Sequence, residues 1–319
     1  MTTASTPLGR ARAVRFDRYG GREVLDVRDV PMPRPGEGEV LVEVRAAAIN
    51  PGETTIRSGA LHDLLPATFP SGQGSDLAGI VRETGPGIRE FGPGDAVLGF
   101  SWTRSSHATH TVVPAAQLLA KPEALPWEVA GALSVAGPSA YAAIQAVDPH
   151  PGEAVAVSGA TGGVGTLVVQ LLARRGVTVL GIASAASAGW LSAHGAIPVA
   201  YGDGVGDRLR AAAPRGIDAF IDLFGPEYVR LAVGLGVKPD RVDTIVPSSA
   251  AVECGVRQEG AAVADTPAVL RDLSALLASG AVELPIAATY PLDRVADAFE
   301  ELERRHTRGK IVLLPQDRG

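Results

Sequence analysis

The chain has 319 residues, 46% hydrophobic and 20% charged, which excludes wholesale disorder and gives length enough for two domains whose cores need no disulfide or metal. Its 29 Lys and Arg against 35 Asp and Glu leave a net charge of −6, the wrong sign for a nucleic-acid or anionic-membrane partner. The sole cysteine, Cys254, excludes an intrachain disulfide and a cysteine-rich structural zinc site, and it fits a reducing, cytoplasmic setting.

In chain order, Met1 to Arg10 is small and polar and reads as a frayed leader, not a signal peptide. The stretch from residue 11 to about 125 is β-rich. Short runs of Val, Ile and Thr at 14–16, 25–30, 40–47, 79–84, 96–100 and 111–114 are punctuated by Pro31-Met-Pro-Arg-Pro-Gly36, Gly85-Pro-Gly87 and Gly92-Pro-Gly94. Close-set strands of this kind predict a small barrel or folded sheet. The texture changes at Trp127, where 127–135 and 139–147 take helical apolar spacing. Strands are then expected at 154–158, 177–182, 197–200, 217–224 and 241–246, with helices at 166–175, 185–194, 207–213 and 228–237 between them. That alternation predicts an α/β, doubly wound parallel sheet. Helices at 267–278 and 292–305 and a last strand at 310–314 follow. No apolar run reaches the ~18 residues of a membrane span.

The strongest local signal is Ala154-Val-Ala-Val-Ser-Gly-Ala-Thr-Gly-Gly-Val-Gly165, a strand, a glycine turn and a helix in the order that dinucleotide binding requires. Thr161, Gly162, Gly163 and Val164 would let backbone approach a pyrophosphate at a helix N-terminus, and Gly165 would let the helix pack closely. The competing reading is a tight turn with no ligand. An NAD site usually carries an acid about 20 residues on, to bond the ribose 2′-hydroxyl. Gly181-Ile-Ala-Ser-Ala-Ala-Ser187 carries none. Nothing there repels a 2′-phosphate, and Ser184 and Ser187 offer hydroxyls, so NADPH is preferred. No Lys or Arg stands in the segment to pair with the phosphate. For Ser184 the alternative is a helix N-cap.

Further motifs bring in a family. Ala46-Ala-Ala-Ile-Asn-Pro-Gly-Glu-Thr-Thr-Ile-Arg-Ser-Gly59, Gly74-Ser-Asp-Leu-Ala-Gly-Ile-Val81, Gly87-Ile-Arg-Glu-Phe-Gly-Pro-Gly-Asp-Ala-Val97, Ser139-Ala-Tyr141, Gln170-Leu-Leu-Ala173 and Gly309-Lys-Ile-Val-Leu313 stand in the order found in zinc-independent quinone oxidoreductases. These enzymes are a branch of the medium-chain dehydrogenase/reductases, and the chain resembles them over nearly its whole length. The resemblance implies a GroES-like β domain over 1–127 and 267–319 and a Rossmann NADP-binding domain over 128–266. It also implies an active-site cleft between the two and a homodimer.

Zinc-dependent relatives hold the metal with a Cys on the first motif and a His-Glu pair on the second; the corresponding places here resemble Asn50 and Ser75-Asp76. Of six histidines only His107 and His110 are closely spaced, which is poor evidence of a metal site, so none is expected. By resemblance Asn50 lies beside the nicotinamide ribose; read alone, Asn50-Pro51 is a turn. Thr55 takes the place of a Tyr that relatives keep near the substrate. Arg57 would stabilise an oxyanion or form a structural salt bridge. His107 and His110 depart from the usual Gly-x-Tyr/Phe-Ala-Glu-Tyr pattern; His107 would donate a proton or serve as a satisfied hydrogen-bonding group. Trp102 is a flat wall for an aromatic substrate or a packed core residue, with packing preferred. Ser139, Tyr201, Phe224, Val246 and Lys310 complete the cofactor set by resemblance, Lys310 having a solvated charge as its alternative. Cys254 reads as a packed small residue.

The function expected is an NADPH-dependent, zinc-free reductase delivering hydride to a quinone or α,β-unsaturated carbonyl, a small-molecule electrophile. Two alternatives stand beside it: a tailoring enoyl or keto reductase of a bulky biosynthetic intermediate, and a non-catalytic NADPH-binding sensor or structural protein.

Overall fold

The protein is described by a computed structural model covering residues 9–259 and 266–317. The expected leader falls largely on 1–8, outside the described residues. The chain divides into two compact units, Met1–Val135 with Ile286–Gly319, and Ala136–Pro285.

The first unit opens with β1 (Arg10–Phe16), β2 (Asp26–Pro31), β3 (Glu39–Ala48), α1 (Pro51–Ser58), β4 (Ser71–Gly72), β5 (Asp76–Thr84), β6 (Ala96–Phe100), β7 (His110–Pro114), β8 (Leu118–Ala120) and α2 (Trp127–Ala130). Then come α3 (Leu133–Val147), β9 (Ala154–Val157), α4 (Gly163–Arg174), β10 (Thr178–Ala183), α5 (Ala188–Ala193), β11 (Ala196–Ala200), α6 (Val205–Ala212), β12 (Ala219–Asp222), α7 (Pro226–Gly234), β13 (Val242–Thr244), α8 (Ser249–Cys254) and α9 (Thr266–Ala278). The chain ends with β14 (Ile286–Pro291), α10 (Val295–Glu303) and β15 (Lys310–Leu314).

In the first unit β3 is the hub, pairing antiparallel with β5, β7 and β15. Its alternation points Val40, Val42 and Val44 inward onto Leu77, Val81, Val97 and Val113. β15 also pairs with β14, and a second core forms where Leu292, Val295 and Phe299 meet Val14, Ile49 and Ile311. The segment from β14 through β15 is therefore part of the first unit's own sheet and core. The expected helix over 127–135 breaks at Gly131, whose carbonyl turns to accept the Ala48 N–H at 2.8 Å.

The second unit is a five-stranded, all-parallel sheet in the order β11-β10-β9-β12-β13, with the crossover at β9 that marks a Rossmann half. Apolar faces of the strands bury Ala156, Leu180, Ile182 and Phe220 against Leu209, Val229 and Ala250 from the helices. The fourth and fifth strands are shorter than expected, so Phe224 and Val246 lie beyond them, in the turns at their carboxyl ends.

Candidate active site

In the first unit the site is built around the start of α1. Asn50 is its N-cap, Pro51 opens the helix, and Glu53 reaches back to accept the Asn50 backbone N–H at 3.0 Å. That interaction is one arm of a capping box, and the Asn50 side chain bonds beyond the helix as well. Asn50 Nδ2 donates to Asp76 Oδ2 at 3.0 Å, while Asn50 Oδ1 accepts from Lys310 Nζ. Lys310 Nζ also lies 3.3 Å from Asp76 Oδ2. Asp76 Oδ1 accepts the Val135 N–H at 2.7 Å. Glu53 Oε1 accepts from the Ser75 N–H at 3.1 Å. Asn50, Glu53, Asp76 and Lys310 are all under a tenth exposed. Residues from α1, β5 and β15 thus share one buried polar network.

Burial raises the Glu53 carboxyl to about 7, outweighing the N–H donors and Lys310, which favour its charged form. His107, fully buried, is pushed down to about 4 for the same reason. Its neutral ring sets Nε2 3.1 Å from the Ala48 carbonyl, which it meets as a donor, and Nδ1 has no partner among the described residues. The ring lies against Gly74, where a Cβ would come within 2.2 Å of His107 Cδ2, so only glycine admits it.

Two residues expected at the chemistry are closed in by protein. The Arg57 side chain is 0% exposed, pairs with Glu303 at 3.0 Å and lies 4.6 Å over the Phe299 ring. Of the two readings held for Arg57, the structural ion pair describes it. His107 is likewise 0% exposed, its Nε2 3.1 Å from the Ala48 carbonyl and 3.8 Å from Glu53 Oε2. Thr55 is exposed on α1, its hydroxyl 3.4 Å from the Pro51 carbonyl. Trp102, expected to pack inside, is 70% exposed. Half-buried His110 lies beside Glu43, 3.9 Å away.

In the second unit the glycine turn stands where it is expected. Gly162 is the N-cap of α4 and supplies no side-chain cap, so the first N–H groups of this twelve-residue helix face outward from its start. At Gly165 a Cβ would sit 2.1 Å from the Gly159 carbonyl oxygen, so the third glycine is dictated by close packing. Thr161 is buried, Gly162, Gly163 and Val164 half-buried. The turn is tied to its neighbours by Asp222, which the sequence pattern does not single out. Asp222 Oδ1 accepts from the Ser158 hydroxyl at 2.5 Å and the Phe224 and Gly225 N–H groups at 3.0 and 3.1 Å; Oδ2 accepts from Thr244 at 2.7 Å. Thr244 in turn accepts the Val246 N–H at 3.1 Å. One buried carboxylate therefore joins the turns after β9, β12 and β13. Half-buried Ser139 lies on α3.

At the end of β10 the Ser184 and Ser187 hydroxyls are 3.1 Å apart, and Ser184 leads into a 3₁₀ turn without capping it by side chain. Tyr201, 48% exposed, opens the turn after β11. A further residue that sequence reasoning misses lies beneath it. Arg208 on α6 donates to four successive carbonyls, those of Ala200, Tyr201, Gly202 and Asp203, at 2.8–3.3 Å. The loop is wound on a guanidinium, which brings a cation beside Tyr201.

Residues 36–146 match the family model for the alcohol dehydrogenase GroES-like domain, and 191–313 match that for zinc-binding dehydrogenases. A quinone oxidoreductase of Pseudomonas aeruginosa is 30% identical over 341 aligned positions, covering 96% of this chain and all of its own. The chain belongs to the quinone oxidoreductase family of the medium-chain dehydrogenase/reductases. This family member is an oxidoreductase, which removes the non-catalytic alternative. The quinone oxidoreductase structure from Coxiella burnetii superposes with a TM-score of 0.86 at 27% identity, covering 97% of this chain and 100% of that one. A mycobacterial protein solved in complex with NADPH gives 0.83 at 26% identity, over 96% and 100%.

The family-model name raises zinc, and the donors do not fit it. Zinc takes Cys, His or carboxylate ligands. Here an amide, a hydroxyl-bearing serine and one aspartate stand at the candidate places, and Lys310 already puts a cationic group on Asn50 and Asp76. Among the described residues, no group of three or more His, Cys, Asp or Glu is arranged to hold a metal. No helix among them is long and apolar enough to cross a membrane.

Proposed function

We propose that this oxidoreductase uses NADPH to reduce a quinone or an α,β-unsaturated carbonyl without a metal ion. The observation carrying the reading is the Asn50–Asp76–Lys310 network. Two of the three positions at which zinc-dependent relatives have metal ligands, Asn50 and Asp76, converge here on a lysine. Lys310 Nζ has three N–H bonds, of which two go to Asn50 and Asp76. We assign the third to the acceptor oxygen, where negative charge grows during reduction. Asn50 fixes the ammonium in place and Asp76 balances its charge.

For the cofactor the second unit offers the uncapped start of α4, where Gly162 puts no side chain over the first N–H groups and Gly165 lets the helix pack against the turn. Thr161, Gly162, Gly163, Val164 and Gly165 would hold the pyrophosphate. Ser184 and Tyr201, with Arg208 behind them, would take the 2′-phosphate; Ser139, Phe224 and Val246 would line the groove. Once bound, NADPH supplies hydride. The mycobacterial relative solved with NADPH supports this choice. The same reading has the chain working as a cytoplasmic homodimer on a small electrophile.

The test uses protein dialysed against EDTA, with NADPH or NADH and 1,4-naphthoquinone, followed at the nicotinamide absorbance. Turnover retained after dialysis, NADPH preferred, and a tenfold or larger fall in kcat/KM for Asn50→Ala are the expected results. Recovery of lost activity only on adding Zn²⁺, or no turnover of any quinone or enone, would overturn the proposal.

A further inference from the structure

Trp102 is an indole left 70% exposed on the first unit. Large aromatic side chains normally gain by burial, and an indole held in solvent on a rigid loop is a face on which a flat ligand could gain that burial. The rigidity is visible in the bonds. The Ser101 N–H donates to the Ser75 carbonyl at 2.8 Å, Ser106 to Gly74 at 3.1 Å and His107 to Gln73 at 3.0 Å. The hydroxyls of Ser101, Thr103 and Ser105 form a triangle with 2.9–3.1 Å edges, and Ser105 continues to Thr111 at 2.6 Å. Arg104 holds a left-handed conformation at φ 53° and donates to the Pro66 carbonyl at 3.0 Å. Phe100 supports the indole edge-on, with ring centroids 4.8 Å apart.

The loop's position gives the indole its use. Phe100 is the strand partner of Asp76, and Ser101 is bonded to Ser75, the residue before it. Trp102 is thus two residues, at most roughly 7 Å of chain, beyond the partner of a carboxylate in the Lys310 network.

We infer that Trp102 is a specificity-determining residue, an aromatic platform that selects flat, ring-fused acceptors over small aliphatic enones. The inference rests on the reductase reading above and adds to it the residue that discriminates. A planar ring stacked on the indole gains contact area and quadrupole attraction that an aliphatic chain does not.

The experiment compares the full-length protein with Trp102→Ala and Trp102→Phe. The ratio of kcat/KM for 1,4-naphthoquinone to that for 3-buten-2-one should fall at least tenfold in Trp102→Ala, through KM for the quinone, and return to within threefold in Trp102→Phe. Calorimetry with 1-naphthol, which cannot accept hydride, reads binding without turnover and should show the same order. An unchanged ratio with unchanged naphthol affinity would overturn the inference and leave the reductase reading intact. Loss of naphthol binding in Trp102→Ala, in a protein that reduces no electrophile, would uphold the platform and sink the reductase reading. An unchanged ratio in a Trp102→Ala protein that elutes as a smaller species than wild type would assign the indole to self-association, against the inference.

Discussion

Replacing Lys310 with Met tests the buried network directly. The ammonium lies 3.3 Å from Asp76 and is 6% exposed, so at an effective dielectric of ~20 the pair's attraction is about 5 kcal/mol, much of it offset by desolvation. Removing one partner of such a pair leaves the other charged and buried, which costs about 3–5 kcal/mol. Lys310→Met should lose this much in urea unfolding at pH 8. Adding Asp76→Asn should recover about half. Asn50, freed from Lys310, can turn its amide so that its oxygen accepts from the introduced amide nitrogen, while the introduced amide oxygen keeps the Val135 N–H. The double-mutant cycle should therefore give a coupling of about 2 kcal/mol or more. A single-variant loss below about 1 kcal/mol, or losses that simply add, would refute the account of a charge pair.

Two further outcomes are expected. His107 is pushed from 6.5 to about 4, so its neutral form belongs to the fold; the stability this provides is complete above pH 6.5 and is lost as pH falls towards 4, about 3 kcal/mol in all. In His107→Leu that component of the acid sensitivity should vanish, which urea titrations between pH 4 and 7 would read even if the variant is less stable throughout. Arg208→Ala should weaken NADPH about tenfold while changing NADH no more than threefold, measured by nicotinamide fluorescence; equal losses for both would assign Arg208 to loop winding alone.

Sequence pattern is informative wherever a residue's role depends on near neighbours. The strands at 96–100 and 310–314 have the bounds that Val, Ile and Leu runs predict. The glycine turn is equally local, since Gly165 is required by a carbonyl six residues earlier. Helix α1 reads only as a motif because Pro51, Gly52 and two threonines are poor helix formers; the spacing Asn50-x-x-Glu53 carries a capping signal that could reveal both the helix and Glu53. Other partners are beyond local reading. Lys310 meets Asp76 across 234 positions and Arg57 meets Glu303 across 246. Arg57 and His107 carry reactive groups, and only the packing around them shows that these face protein and not solute. Trp102 errs the other way, since composition favours burying an indole while the loop holds it 70% exposed.

The return of the chain's end to the first unit has a consequence for biosynthesis. Asp76 and Asn50 leave the ribosome long before Lys310 exists, and β3 lacks its β15 neighbour for the same interval. The Rossmann unit, a continuous stretch, can close as it emerges, but the β unit stays unfinished until the last strand arrives. Translation that stops short of Lys310 therefore releases a chain with an open sheet edge and an acid stranded without its counter-ion, a species for chaperones and proteases to recognise.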